Sequence, residues 1–156
     1  MNRLLPIFML LLVVFSSCSD NLSQSYEEKV SLLQGRWKQV QQTSELYASS
    51  GVYLRGNKMK LTEDIALLVF KDNIMGYLAN TSRNGEPVLV EGTPYKVSDV
   101  EGQTVIEKAG VRYKLDLINR FNLRLRLEEP TKEGKVVWIL DYSRVNSTKP
   151  TTPGFN

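Results

Sequence analysis

Histidine is absent from this chain, and cysteine occurs once. The commonest metal ligand and the commonest general base are therefore missing. A single thiol cannot close an internal disulfide, which removes the cross-link that many small exported domains rely on. No apolar run reaches the roughly 20 residues that a helix needs to cross a bilayer. Long lysine or arginine runs are also missing. The 20 basic and 17 acidic residues are interleaved for a formal net charge of +3, a pattern that predicts no nucleic-acid partner. Neither Gly-x-Ser-x-Gly, nor a phosphate-binding loop, nor a calcium-loop spacing occurs. The acids Glu27-Glu28, Glu63-Asp64 and Glu128-Glu129 are neighbours along the chain rather than an acid/base pair converging on one site. These absences argue against an enzyme, a cofactor and a metal centre.

What is present begins with an organised start. Arg3 precedes an apolar run from Leu4 to Phe15, broken only by Pro6, and Ser16 and Ser17 follow. A basic start, a short apolar core and small residues are the layout of a cleaved signal peptide. Cys18 comes next. The segment Phe15-Ser16-Ser17-Cys18 resembles the bacterial lipobox, with Phe15 where the box usually carries an aliphatic residue. That resemblance implies a leader over residues 1–17, acylation of Cys18 with palmitate-type chains, and a tether over residues 18–25. Two or more acyl chains hold a protein on a membrane stably. Ser19 in place of aspartate carries no inner-membrane retention cue, so the expected location is the outer membrane. Its periplasmic and cell-surface sides stay open.

After the tether, Ser25 and Glu28 have the spacing of a helix-capping box. Tyr26, Val30 and Leu33 then share one face, and Gly35 suits a helix stop. From Gly35 onward the apolar period becomes two. Phe121, Leu123, Leu125 and Leu127 alternate with Asn122, Arg124, Arg126 and Glu128; Val111, Tyr113, Leu115 and Leu117 alternate with Arg112, Lys114 and Asp116. One wet and one buried face is the mark of an antiparallel sheet. Further strands are expected at Arg36–Thr43, Ala66–Lys71, Ile74–Ala79, Pro94–Ser98, Thr104–Lys108 and Val136–Val145, separated by short turns such as Lys71-Asp72-Asn73 and Ala109-Gly110. The expected fold is all-β: an antiparallel up-and-down barrel of about eight strands over residues 26–145, with a short N-terminal helix. Ser44 to Asp64 is poorly periodic and reads as a lid-like loop, a short helix or an extra hairpin. Residues 146–156, with Pro150 and Pro153, read as a disordered tail.

Leu32-Leu33-Gln34-Gly35-Arg36-Trp37-Lys38 carries a Gly-x-Trp at the opening of the first strand, and Tyr142-Ser143-Arg144 closes the last. With the lipobox and the strand rhythm over residues 30 to 145, the chain resembles the lipocalin-like lipoproteins of Bacteroidetes-type bacteria. The resemblance implies a barrel closed at one end by the helix, with a cavity for a small apolar or amphipathic ligand. It also implies that a basic residue near the last strand stacks on the tryptophan, which pairs Trp37 with Arg144 as a structural barrel-end unit.

Candidate ligand contacts follow from strand parity. Trp138, Leu140, Tyr142 and Arg144 share one face of the last strand. If that face is inward, Tyr142 and Arg144 form a polar pair able to hold a carboxylate; alternatively Arg144 is engaged by Trp37 and Tyr142 merely packs. Gln39 and Gln41 share the parity of Trp37, so they face inward with it unless a bulge intervenes, and Tyr113 joins the same lining. The ligand-contact candidates are thus Tyr142, Arg144, Gln41, Trp138 and Tyr113. Three functions remain open: a carrier or sensor of a small apolar ligand, a protein-interaction or inhibitor module, and a barrel filled by side chains whose loops act. Phe70, Tyr77, Tyr95, Tyr113, Phe121 and Trp138 would fill the interior if all pointed inward, since eight strands leave space just sufficient for side chains.

Overall fold

The computed structural model describes residues 24–61, 67–79 and 88–145. The expected leader, the lipidation site Cys18, the tether up to residue 23 and the tail over residues 146–156 lie outside the described residues, as does Asp64. Among the described residues one helix, α1 (Tyr26–Leu33), precedes nine strands: β1 (Gly35–Ala48), β2 (Tyr53–Lys60), β3 (Leu67–Lys71), β4 (Ile74–Ala79), β5 (Val88–Val100), β6 (Gln103–Lys108), β7 (Val111–Ile118), β8 (Asn122–Thr131) and β9 (Gly134–Arg144). Every pairing is antiparallel, and from β3 to β9 each strand pairs with the next in chain order. A long β1–β9 ladder closes the ring. Eight strands thus form a barrel. The ninth, β2, lies along the same edge of β1 as β3 but farther from the helix: β3 pairs with Gly35 to Trp37 and β2 with Gln41 to Tyr47.

Local chemistry explains the connections. The Ser25 hydroxyl accepts the Glu28 N–H at 3.2 Å, so the capping residue starts the helix where expected. The β3–β4, β5–β6 and β6–β7 turns carry positive φ at both central residues, Asp72/Asn73, Glu101/Gly102 and Ala109/Gly110. That is the type I′ geometry whose twist matches a hairpin, and Asn, Asp and Gly adopt it most readily. The outer face is solvated by cross-strand ion pairs. Arg124 meets Asp141 at 2.6 Å, Arg126 meets Asp116 at 3.0 Å, and Glu128 is held between Lys114 and Lys135 at 2.8 Å each.

The inner face is apolar near the helix. Leu33, Trp37, Leu68, Phe70, Met75, Tyr95, Ile106, Leu115, Leu123, Leu125 and Tyr142 are buried in one cluster. The helix is stitched across this end. Tyr26 Oη donates to the Val97 carbonyl at 2.8 Å, Lys29 Nζ to Thr104 Oγ1 at 3.4 Å, and Gln34 Nε2 to Tyr95 Oη at 2.9 Å. A helix of eight residues is too short to persist alone, so these contacts and the buried Leu33 hold it in place.

The structure departs from the sequence expectation at identifiable points. Of the three options for Ser44–Asp64 the extra hairpin is realised: β1 runs on to Ala48 and β2 returns beside it. All of β2 is exposed, so no burial alternation marks it in the sequence. β5 begins well before Pro94. Phe121 precedes its strand and is 69 % exposed, so it does not join the interior. A bulge between Leu115 and Leu117 turns Leu117 outward and brings Ile118 in, where it is buried.

Candidate functional site

The two ends of the barrel differ in kind. At the helix end, the last carbonyls of α1 lack intrahelical donors. Trp37 Nε1 donates to the Leu33 carbonyl at 2.9 Å, and the Arg144 guanidinium donates to the carbonyls of Gln34, at 2.8 Å, and Leu32. The same guanidinium lies 4.2 Å from the Trp37 ring centroid, a cation–π distance. A cation here also suits the negative end of the helix dipole. Gly35 makes room for it: its φ is +126°, and a Cβ there would stand 2.9 Å from Arg144 Nη1. This end is a packed plug.

Above the plug the lining turns polar. Tyr142 is buried, and Tyr77 and Tyr113 are half-buried near it. Burial raises the pKa of all three phenols above the ordinary tyrosine value, and the charge of Glu91 adds to the effect at Tyr77 and Tyr113. They are neutral hydrogen-bonding groups at any physiological pH. On one wall the Lys108 ammonium meets Glu91 at 3.3 Å and sits 5.4 Å from the Tyr77 ring centroid. On another, Trp138 Nε1 donates to Glu129 Oε2 at 2.8 Å.

The inner face continues upward where β1 and β2 rise beside β8 and β9. Ser44 is opposite Trp138 and Asn57, and Leu46 is opposite Val136 and Arg55. These residues, with Gly56, Thr131 and Glu133, line a concavity of about 430 Å³ open to solvent. That volume lies within the range of roughly 300–1,000 Å³ usual for small-molecule sites. Two other concavities, of about 320 Å³ and 420 Å³, lie on the outer face.

Of the five residues picked from the sequence as ligand contacts, Tyr142, Tyr113 and Trp138 line the interior. Arg144 does not join them. Its guanidinium turns down to the helix carbonyls, so no guanidinium–phenol clamp with Tyr142 is assembled. Gln41 lies on the outside: a bulge between Gln39 and Gln41 reverses the parity of β1, and Gln41 donates to Asp141 at 3.1 Å. Gln42 takes the inward register opposite Leu140. Lys108 and Glu91 escaped the sequence reading. The available signal was parity, since Lys108 shares the face of Thr104 and Ile106, both buried. No group of carboxylate and thiol side chains able to hold a metal occurs among the described residues, and none of their helices is long and apolar enough to cross a membrane. No family model matches the chain, and no curated protein is significantly similar to it.

Proposed function

We propose that this chain is a lipid-anchored envelope protein of the bacterial lipocalin-like kind, which takes up a small amphipathic ligand at the open end of its barrel. The observation that carries the reading is the contrast between the two ends. The helix end is filled by Trp37, Phe70 and their neighbours. The opposite end presents a concavity of about 430 Å³ in which the indole of Trp138, Val136 and Leu46 stand beside Ser44, Asn57 and Arg55. An apolar wall with a few polar groups orients a ligand that has one greasy and one polar part. The anchor supports the same reading, because lipid on Cys18 would hold the barrel where amphipathic molecules are abundant.

Titration with the neutral dye phenylnaphthylamine tests the site. Saturable enhancement of dye fluorescence, weakened by Trp138→Ala, is expected; no saturable binding of the dye or of fatty acids overturns the carrier reading. The anchor is tested separately. Cys18→Ala is expected to leave the membrane fraction, and an unmodified cysteine at the mature N-terminus in a mass spectrum contradicts the assignment.

A second reading, docking of a protein partner, is favoured by one observation. Val52, Tyr53, Leu54 and Met59 are exposed apolar residues on or beside β2, whose only partner strand among the described residues is β1. Val52→Lys with Leu54→Lys, away from the face that carries Arg55 and Asn57, would abolish a docking function while leaving dye binding intact.

A further inference from the structure

We propose that Lys108 is the anchor for an anionic headgroup, a carboxylate or a comparable oxyanion, on the ligand that the barrel receives; this rests on the ligand-binding reading above. Lys108 closes β6 and faces inward with Thr104 and Ile106. Its side chain is only 8 % exposed. An ammonium withdrawn from water to that degree requires an anion, and an unpaired one is costly. Among the described residues the only carboxylate that meets it is Glu91, whose side chain is 65 % exposed. The pair is therefore asymmetric: the cation is fixed in the wall and the anion hangs at the solvent side.

The contact is also loose. At 3.3 Å it exceeds the 2.7–2.9 Å usual for a charge-assisted N–H···O bond. An ammonium has three donors, and among the described residues Glu91 is the one acceptor that meets this one. The Tyr77 ring lies against the ammonium, and the phenols of Tyr77 and Tyr113 are close enough to Glu91 to sense its charge. A ligand carboxylate that displaces Glu91 into water would find one buried cation and neutral phenol donors. Tyr113 also senses Glu129, the acceptor of the Trp138 indole. Lys108 on β6 and Trp138 on β9 both face the barrel interior, so a ligand with its polar head on Lys108 would lay its apolar part toward Trp138. Glu91 acts as a stand-in for the headgroup, keeping Lys108 neutralised while the barrel is empty.

Two dyes that share a naphthylamine body separate the claims: anilinonaphthalene sulfonate is anionic, and phenylnaphthylamine is neutral. Each is titrated into residues 18–156, the whole chain after the proposed cleavage. Lys108→Met is expected to weaken the sulfonate roughly tenfold or more, the scale of a lost charged hydrogen bond, and to leave the neutral dye within about twofold. Glu91→Gln removes the competing anion and is expected to tighten the sulfonate roughly two- to fivefold, the scale of a half-exposed ion pair. If Lys108→Met fails to fold, Glu91→Gln decides alone. Sulfonate affinity unchanged by Glu91→Gln, or equal in Lys108→Met and the parent, overturns the role of Lys108 while the carrier reading stands. Binding of neither dye by the parent removes both.

Discussion

Replacing Arg144 with methionine keeps most of its aliphatic stem and deletes the guanidinium. Three interactions at the closed end are lost: the contact with the Trp37 ring at 4.2 Å and the hydrogen bonds to the carbonyls of Leu32 and Gln34. The cation–π contact is worth roughly 0.5–2 kcal/mol, and a hydrogen bond from a charged donor roughly 1.5–3 kcal/mol. Arg144 is not fully buried, so water can reach part of what it leaves, and the lower half of each range applies. Taken at the low end of each range, the expected loss is about 3.5 kcal/mol. In a body the size of residues 26–145 this lowers Tm by about 10–15 °C. Urea unfolding followed by tryptophan fluorescence measures it directly, with an unchanged slope if the native fold is kept. A Trp37→Leu background supplies a second test: there the same replacement is expected to cost about 1 kcal/mol less, because the ring contact is already gone. A loss below about 1 kcal/mol, or strict additivity with Trp37→Leu, would refute the view that the guanidinium ties helix, first strand and last strand together.

Gly35→Ala places a methyl against Arg144 Nη1 at a φ of +126°, and is expected to cost about 1–3 kcal/mol in the same assay. Leu115→Ala hollows the core and should cost about 2–5 kcal/mol, whereas Leu117→Ala, two residues on but outside the bulge, should stay within about 0.5 kcal/mol. Lys114 and Lys135 hold the pKa of Glu128 down to about 2, against an ordinary value of 4.5. A depressed carboxylate stabilises the fold above its unfolded pKa and loses that contribution as pH falls from about 4.5 to 2. After solvent screening this is on the order of 1 kcal/mol. Urea midpoints at pH 6 and pH 2.5 are expected to show Glu128→Gln less stable than the parent at the first, with the difference largely but not wholly gone at the second.

The architecture was legible where burial differs between faces. The alternation in β7 and β8, the capping box at Ser25 and the turn residues Asp72-Asn73 and Ala109-Gly110 each have a local physical cause, so sequence alone places them. The failures share a different cause. The bulges at Gln39/Gln41 and Leu115/Leu117 insert one residue and invert parity without changing composition, so Gln41 moved outside and Leu117 with it. β2 carries no buried face and leaves no period to read. Arg144 was recognised as a partner for Trp37, but its bonds to the helix carbonyls depend on the chain bringing residues far apart in sequence together. Lys108 was overlooked because a lysine on a strand reads as solvent-facing until its neighbours are known to be buried.

If the open end receives a ligand while the helix end stays sealed, the two indoles respond differently. The two indoles report on the two ends: Trp37 is fully buried at the plug and Trp138 lines the open concavity. Titrating a medium-chain fatty acid while recording amide and indole N–H shifts by NMR reads both at once. Saturable shifts are expected at the Trp138 indole and at the amides of Ser44, Leu46, Asn57 and Val136, with the Trp37 indole unmoved. Shifts confined to the outer face, or no shifts at all, would contradict it.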